Sequence, residues 1–128
     1  MRKSMKKWLS LVLAVTLCLA FSVTAFARYV AEPTLSNYLS ISGSQATMYS
    51  SVEADPSVTK IVITQVLQKD GKDVSGTSKS QTFNKNSASK QDTVTCSGSG
   101  TFRVKTTYKI TSPEGTDTHT KYSNTVNK

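Results

Sequence analysis

The sequence predicts an all-β protein that folds as a single antiparallel β-sandwich of about seven strands. Two observations support this prediction. Beyond residue 34, apolar side chains recur at every second position instead of at the spacing of a helix. Short groups of Gly, Pro, Ser, Asn and Asp also separate these runs at regular intervals, as they do between the strands of sandwiches.

The first 27 residues have the three parts of a signal peptide. Basic residues are concentrated in Arg2–Lys7, an apolar run covers Trp8–Phe21, and Ala25 and Ala27 are the small residues that signal peptidase recognises. The apolar run is shorter than the ~20 residues that cross a bilayer. We therefore expect cleavage after Ala27 and secretion to the extracellular space, without a stable membrane anchor; a retained anchor is the weaker alternative.

The composition of residues 28–128 restricts the class of protein. These 101 residues hold 12 Lys and Arg against 8 Asp and Glu, a net charge of +4, and only one cysteine. Multidomain enzymes, cysteine-rich scaffolds and Cys-cluster zinc fingers are excluded. Apolar residues number only 29, which is near the border of disorder, but their alternation and the low net charge favour a folded chain.

An extended leader at residues 28–34 is expected to precede the sandwich at residues 35–128. Its first two strands, Leu35–Ile41 and Ala46–Ala54, flank Gly43-Ser44, a signal for a two-residue hairpin turn. If this turn sets the register, Leu39 lies opposite Met48 on the inner side and Tyr38 lies opposite Tyr49 on the outer side.

The middle of the chain gives a mixed pattern. Val58–Lys69 is apolar on both faces, which is typical of a central strand, and Asp70-Gly71 is a turn. The remaining expectations are a loosely patterned polar segment at Lys72–Ser80, a polar loop at Asn84–Lys90, and a short strand at Asp92–Ser97.

The last two strands show the clearest alternation. Thr101–Thr111 alternates strictly, Pro113–Gly115 forms a turn, and His119–Val126 returns with Tyr122 placed inward, opposite Tyr108. Seven short antiparallel strands without a helix are typical of an immunoglobulin-like sandwich.

Two resemblances agree with this architecture. Gly100–Val104 resembles the Gly-x-Tyr-x-Cys stretch of immunoglobulin strand F, with Phe102 and Val104 in place of the tyrosine and cysteine. The chain is also similar to small secreted proteins of Gram-positive bacteria grouped as a domain of unknown function, through Leu39–Gly43 with Ala46, Leu67–Lys69 with Gly71, and Gly100–Lys105. That likeness implies a secreted β-sandwich and no catalytic residue.

No catalytic, metal or cofactor constellation is predicted. Cys96 and His119 are the only candidates for a Cys–His pair after residue 27, and alternation places Cys96 inward and His119 outward. A buried thiol has a raised pKa and is inert, so a core role is expected; a reactive or dimer-forming thiol is the alternative. The close acidic pairs Glu53/Asp55 and Asp70/Asp73 lack the spacing of a calcium loop.

Two surfaces are candidates for binding. Arg103, Lys105, Lys109 and Lys121 share the outer side of the last hairpin in the predicted register, with Lys109 opposite Lys121. The favoured explanation is edge protection, in which lysines on an exposed strand prevent it from pairing with other chains. The alternative is that these residues bind an anionic cell-wall polymer or glycan. Nucleic acid is not expected, because no exposed aromatic is interleaved and the protein is exported. Tyr38 and Tyr49 either stabilise a hairpin or form a sugar-binding surface.

These observations predict a secreted, non-enzymatic binding module for the cell envelope or an extracellular anionic polymer. The alternative is a secreted effector, such as a bacteriocin-like toxin or a signal, that acts on neighbouring cells. A third possibility is a hydrolase that uses paired carboxylates, which no feature of the sequence selects.

Overall fold

The computed structural model describes residues 32–128, and within them every regular element is a β-strand. The expected signal peptide, its cleavage site at Ala25 and Ala27, and most of the leader lie outside the described residues. The nine strands are β1 (Thr34–Ser42), β2 (Gln45–Glu53), β3 (Lys60–Lys69), β4 (Lys72–Asp73), β5 (Lys79–Phe83), β6 (Ser87–Thr95), β7 (Thr101–Ser112), β8 (Gly115–Tyr122) and β9 (Val126–Asn127).

The strands form two antiparallel sheets of a β-sandwich, which confirms the predicted fold class. The small sheet has the order β1-β2-β6, and the large sheet has the order β4-β3-β7-β8, with β5 also beside β3 and β9 also beside β7. Strand β3 is central, as its two apolar faces predicted. The additional strands β4 and β5 come from the segment that showed no clear alternation.

The first hairpin has the predicted register. Leu39 pairs with Met48 and Tyr38 pairs with Tyr49. Gly43 has a φ of 60°, which a two-residue hairpin turn requires at its first central position and which glycine adopts without steric cost.

The last hairpin departs from its predicted register by three residues. Tyr108 pairs with His119, and Tyr122 pairs with Lys105, so Tyr122 lies on the outer face, 47% exposed. The turn is tighter than expected, because Ser112 pairs directly with Gly115 and leaves only Pro113 and Glu114 between the strands. Placing Tyr122 in the core and His119 outside was therefore wrong.

Strand β6 also begins earlier than predicted. Ser87–Lys90 belongs to the strand and pairs with β2 along its whole length, so it is not a loop. Lys90 and Asp92 occupy inward positions, where charged side chains conceal the alternation that identifies a strand.

The core consists of two apolar clusters. The first cluster contains Leu39, Ala46, Met48, Leu67, Val94, Cys96, Phe102 and Val104. The second cluster contains Val52, Val58, Ile61, Ile63, Tyr108 and Ile110. Both clusters draw side chains from both sheets, as the inner layer of a sandwich does.

A belt of hydrogen-bonded polar side chains runs through the interior. Ser50 Oγ lies 2.7 Å from Gln65 Oε1 and 2.8 Å from Thr106 Oγ1, which links the two sheets. Gln65 Nε2 donates to Asp92 Oδ2 at 2.7 Å, and Asn37 Nδ2 donates to Thr106 Oγ1 at 3.1 Å. Apart from Asn37 Oδ1, which has no partner among the described residues, these buried groups are hydrogen-bonded, so the belt avoids most of the cost of burying polar atoms.

Candidate binding faces

The outer face of the large sheet carries most of the predicted basic residues. Arg103, Lys105 and Lys109 alternate along β7 with the inward residues Phe102 and Val104, so the three cations point to the same side. Lys109 is exposed, and Arg103 and Lys105 are half-buried.

Lys121 does not belong to this face. It pairs with Thr106, an inward residue, so its side chain leaves β8 on the opposite side from Lys105 and Lys109. The residue opposite Lys109 is Thr118, and the predicted contact between Lys109 and Lys121 is wrong.

Strand β3 adds a cation that was not predicted for this face. Lys60 pairs with Thr111, and its alternation with Ile61 places it on the outer face. The residues Arg103, Lys105, Lys109 and Lys60 are called the basic face from here on. Alternation in β3 could have placed Lys60 outward, but only the pairing of β3 with β7 brings it to the other cations.

Edge protection does not explain the cations of β7. That strand pairs with β3 on one side and with β8 and β9 on the other, so it has no free edge along Arg103, Lys105 or Lys109. Lysines deter unwanted strand pairing when they lie on an exposed edge. Among the four predicted residues, this explanation fits only Lys121, which is on the outermost strand β8.

An aromatic side chain lies on the basic face. The Arg103 guanidinium carbon is 4.0 Å from the centroid of the Tyr122 ring. Arg103 Nε also donates to Gln68 Oε1 at 2.8 Å, and Gln68 Nε2 donates to Asp73 Oδ1 at 2.8 Å. One of the two grounds against nucleic acid, the absence of an exposed aromatic, is therefore wrong.

The outer face of the small sheet has a different chemistry. Its outward strand positions include no Lys or Arg, and Glu53 is their one charged residue. Ser and Thr predominate there: Thr34, Ser36, Ser40, Ser42, Thr47, Ser51, Ser87, Ser89, Thr93 and Thr95.

The predicted tyrosine pair lies on this hydroxyl-rich face. Tyr38 is 56% exposed and Tyr49 is 38% exposed, and the two are directly opposite each other on β1 and β2. Tyr49 also lines an open groove of about 580 Å³, whose walls include Ser51, Glu53 and Lys85. Tyr49 thus borders a concave surface with many hydroxyl groups.

The remaining candidate residues lie in or against the core or accept backbone hydrogen bonds. Cys96 is 1% exposed in the first core cluster, which confirms its inward position, whereas His119 lies opposite Tyr108 of the second cluster. Asp55 Oδ1 accepts the Ser57 N–H at 2.9 Å, and hydrogen bonds from Ser57 hold the pKa of Asp55 below its ordinary value. Asp70 Oδ1 accepts the Thr101 N–H at 3.0 Å.

The described part of the chain contains neither a cluster of metal ligands nor a membrane-spanning helix. No three or more His, Cys, Asp or Glu side chains among residues 32–128 are grouped so that they could hold a metal ion. The same part of the chain contains no helix of the length and apolarity needed to cross a membrane.

Comparison with known proteins assigns no family. No protein-family model matches the chain, and no curated protein matches it. The resemblance to secreted proteins of Gram-positive bacteria therefore stays a prediction.

Proposed function

We propose that the protein is an exported, non-catalytic binding module whose basic face attaches it to an anionic polymer of the cell envelope or extracellular space. The observation that carries the proposal is the difference between the two outer faces. Outward strand positions on the large sheet hold four cations and one carboxylate, that of Asp73, whereas outward strand positions on the small sheet hold no cation. A one-sided positive field attracts polyanions.

Export is the part of the proposal that rests on the sequence alone. The tripartite pattern of residues 1–27 supports it, and an anionic polymer outside the membrane is then the partner that the chain would meet.

An immunoglobulin-like relationship is also part of the proposal. The separation of β1, β2 and β6 from β3 and β7 agrees with the division of strands A, B and E from C and F. Ser50 of β2 and Thr106 of β7 are joined by a 2.8 Å hydrogen bond between the sheets. In antibody domains a disulfide joins the corresponding pair of strands, B and F.

The test of the basic face is co-sedimentation of residues 28–128 with bacterial cell walls over a salt series. The double substitution Lys105→Gln and Lys109→Gln is expected to lower the binding constant at least tenfold at low salt and to reduce its salt dependence, because two cations are lost. Intact walls should bind the native protein, and walls stripped of their anionic polymers should not.

The matched control removes the same charge from elsewhere on the large sheet. Lys72 and Lys121 are exposed and pair with Lys69 and Thr106, away from the basic face. Lys72→Gln with Lys121→Gln should leave most of the binding intact. Equal losses in the two double variants would show that net charge, and not this face, is responsible.

The groove beside Tyr49 supports a second candidate function, the binding of an uncharged glycan. Hydroxyl groups offer both donors and acceptors to sugar hydroxyls, and an exposed tyrosine ring can pack against the apolar face of a sugar. Lys85 is the one cation among the residues that line the groove, and the outward strand positions of the small sheet hold none, so this side is less suited to a polyanion than the basic face is.

Stripped walls also test this second function. If the tyrosine face binds neutral glycan, the protein should pellet with stripped walls at high salt, and Tyr38→Ser with Tyr49→Ser should reduce pelleting about tenfold. Tyr122→Ser, which removes an exposed tyrosine from the opposite face, serves as the control. Binding that is lost with salt, or that survives the Tyr38 and Tyr49 changes, would contradict this function.

A further inference from the structure

Arg103 differs from the other cations of the basic face because its side chain is held in one position. Its Nε donates to Gln68 Oε1 at 2.8 Å, and the guanidinium group stacks on the Tyr122 ring at 4.0 Å. Gln68 is in turn held by Asp73 and is 5% exposed. These four side chains form a row across β4, β3, β7 and β8.

The contacts of Arg103 leave the outer edge of its guanidinium group available. An arginine has five N–H donors in a planar fork, and among the described residues only the Nε donor of Arg103 has a partner. Within residues 32–128, the terminal nitrogens of Arg103 have no hydrogen-bond or ion-pair partner. The Asp73 carboxylate accepts from Gln68 and does not pair with the arginine.

This arrangement reduces the cost of binding an anion. A free arginine or lysine side chain loses rotamer entropy when a ligand fixes it. Stacking and the Nε hydrogen bond have already fixed Arg103, so much of that loss occurs on folding. Lys105 and Lys109 make no hydrogen bond or ion pair in the described part of the chain and can supply only a mobile charge.

We propose that Arg103 is the specificity-determining residue of the basic face and that it binds a group with two acceptor oxygens on one centre, either a phosphodiester or a carboxylate. This inference rests on the proposed function and names the chemical group that the face takes. A planar fork makes two parallel hydrogen bonds to such a group, whereas an ammonium group acts as a point charge. Lys105, Lys109 and Lys60 then provide attraction along the rest of the polymer.

The first experiment compares two charge-conserving substitutions. Binding of poly(glycerol phosphate) and of poly-glutamate, matched in length, is titrated with the native residues 28–128 and with Arg103→Lys and Lys72→Arg. We expect Arg103→Lys to weaken binding of the preferred polymer about tenfold with an unchanged salt slope, because the charge remains and the fork is lost. Lys72→Arg, at an exposed lysine away from the basic face, should stay within about twofold of the native protein. The polymer whose binding is weakened more shows whether Arg103 binds a phosphodiester or a carboxylate.

A second variant tests the support of the arginine. Tyr122→Leu keeps every charge and removes only the stacking partner, so it should weaken binding by an intermediate factor, about threefold. Thermal unfolding of each variant shows whether it is folded. Native-like affinity in both Arg103→Lys and Tyr122→Leu would overturn the proposal.

Titration with inorganic phosphate, followed by NMR, separates this inference from the proposed function. Selective shifts of the Arg103 side-chain signals, ahead of those of the lysines, are expected. If neither polymer binds but these shifts persist, the polymer function fails and the oxyanion site stands. If phosphate moves the lysine signals equally or moves none, the Arg103 site is refuted.

Discussion

Replacing Tyr108 with alanine is expected to lower the free energy of unfolding by about 3–5 kcal/mol, because it removes a large buried side chain that joins the two sheets. Tyr108 is fully buried in the second core cluster, and its hydroxyl donates to the Ser36 carbonyl of the small sheet at 2.9 Å. Cys96 is a free thiol, so among residues 32–128 no disulfide supports this contact. The total free energy of unfolding of domains of this size is only about 5–15 kcal/mol.

The effect is measured by urea unfolding of the native residues 28–128, of Tyr108→Ala and of two further variants. Tyr108→Phe keeps the ring and removes the hydroxyl, so it should cost about 1 kcal/mol. Tyr38→Ala makes the same truncation at a tyrosine that is 56% exposed, and it should cost no more than about 1 kcal/mol. Similar costs for Tyr108→Ala and Tyr38→Ala would contradict the described core.

The first hairpin shows what the sequence alone could predict. Gly43 determined the turn length, and the alternation of apolar residues on β1 and β2 then allowed one register. A one-residue shift would have moved Leu39 and Met48 out of the core, so the buried face specifies the pairing. Interactions between residues close in sequence were therefore sufficient to predict the register of this hairpin.

The last hairpin shows why the prediction was wrong elsewhere. Every residue of β8 is exposed except His119, which is half-buried. A strand without a buried face does not specify its own register, and the apparent match of Tyr108 with Tyr122 was misleading. The tight turn at Pro113 and Glu114, together with the contact of Asn37 Nδ2 with the Lys121 carbonyl at 2.9 Å, accompanies the observed register.

The basic face was predictable only in part for the same reason. Alternation within β7 placed Arg103, Lys105 and Lys109 together, since that strand has a buried side. Tyr122 and Lys60 reach the face through the pairing of β7 with β8 and β3. The pairing of β3 with β7 joins strands that are distant in sequence, and the exposed residues of β8 do not specify its register, so no local pattern brings Lys60 and Tyr122 to the face.

Replacing Lys90 with methionine is expected to lower the free energy of unfolding by about 3 kcal/mol, because it leaves a partly buried carboxylate without its counter-charge. Lys90 Nζ lies 2.9 Å from Asp92 Oδ2, and the two side chains are 8% and 19% exposed. Among residues 32–128, Gln65 Nε2 would then be the only side-chain group bonded to that carboxylate. Lys121→Met, at an exposed lysine, should change stability by less than about 0.5 kcal/mol.

A double variant tests whether the unpaired charge is the cause. Asp92→Asn removes the carboxylate and keeps an oxygen that can accept from Gln65 Nε2. When combined with Lys90→Met, it should recover part of the lost stability, because no uncompensated charge remains. No recovery would indicate that Lys90→Met acts through packing of the side chain and not through its charge.

The pH dependence of unfolding gives a separate check on the same pair. Burial of Asp92 raises its pKa, but hydrogen bonds from Lys90 and Gln65 and the charges of Lys90 and Lys79 outweigh it, so the pKa lies below the ordinary 3.8. A lowered pKa means that this stabilisation is complete above the ordinary value and is lost as the pH falls through the value in the folded protein. In Lys90→Met the pKa of Asp92 should rise, so this loss of stability at low pH should become smaller, and the difference in stability between the variant and the native protein should narrow as the pH falls. If the variant and the native protein lose the same stability at low pH, the Lys90–Asp92 ion pair does not contribute to stability in solution.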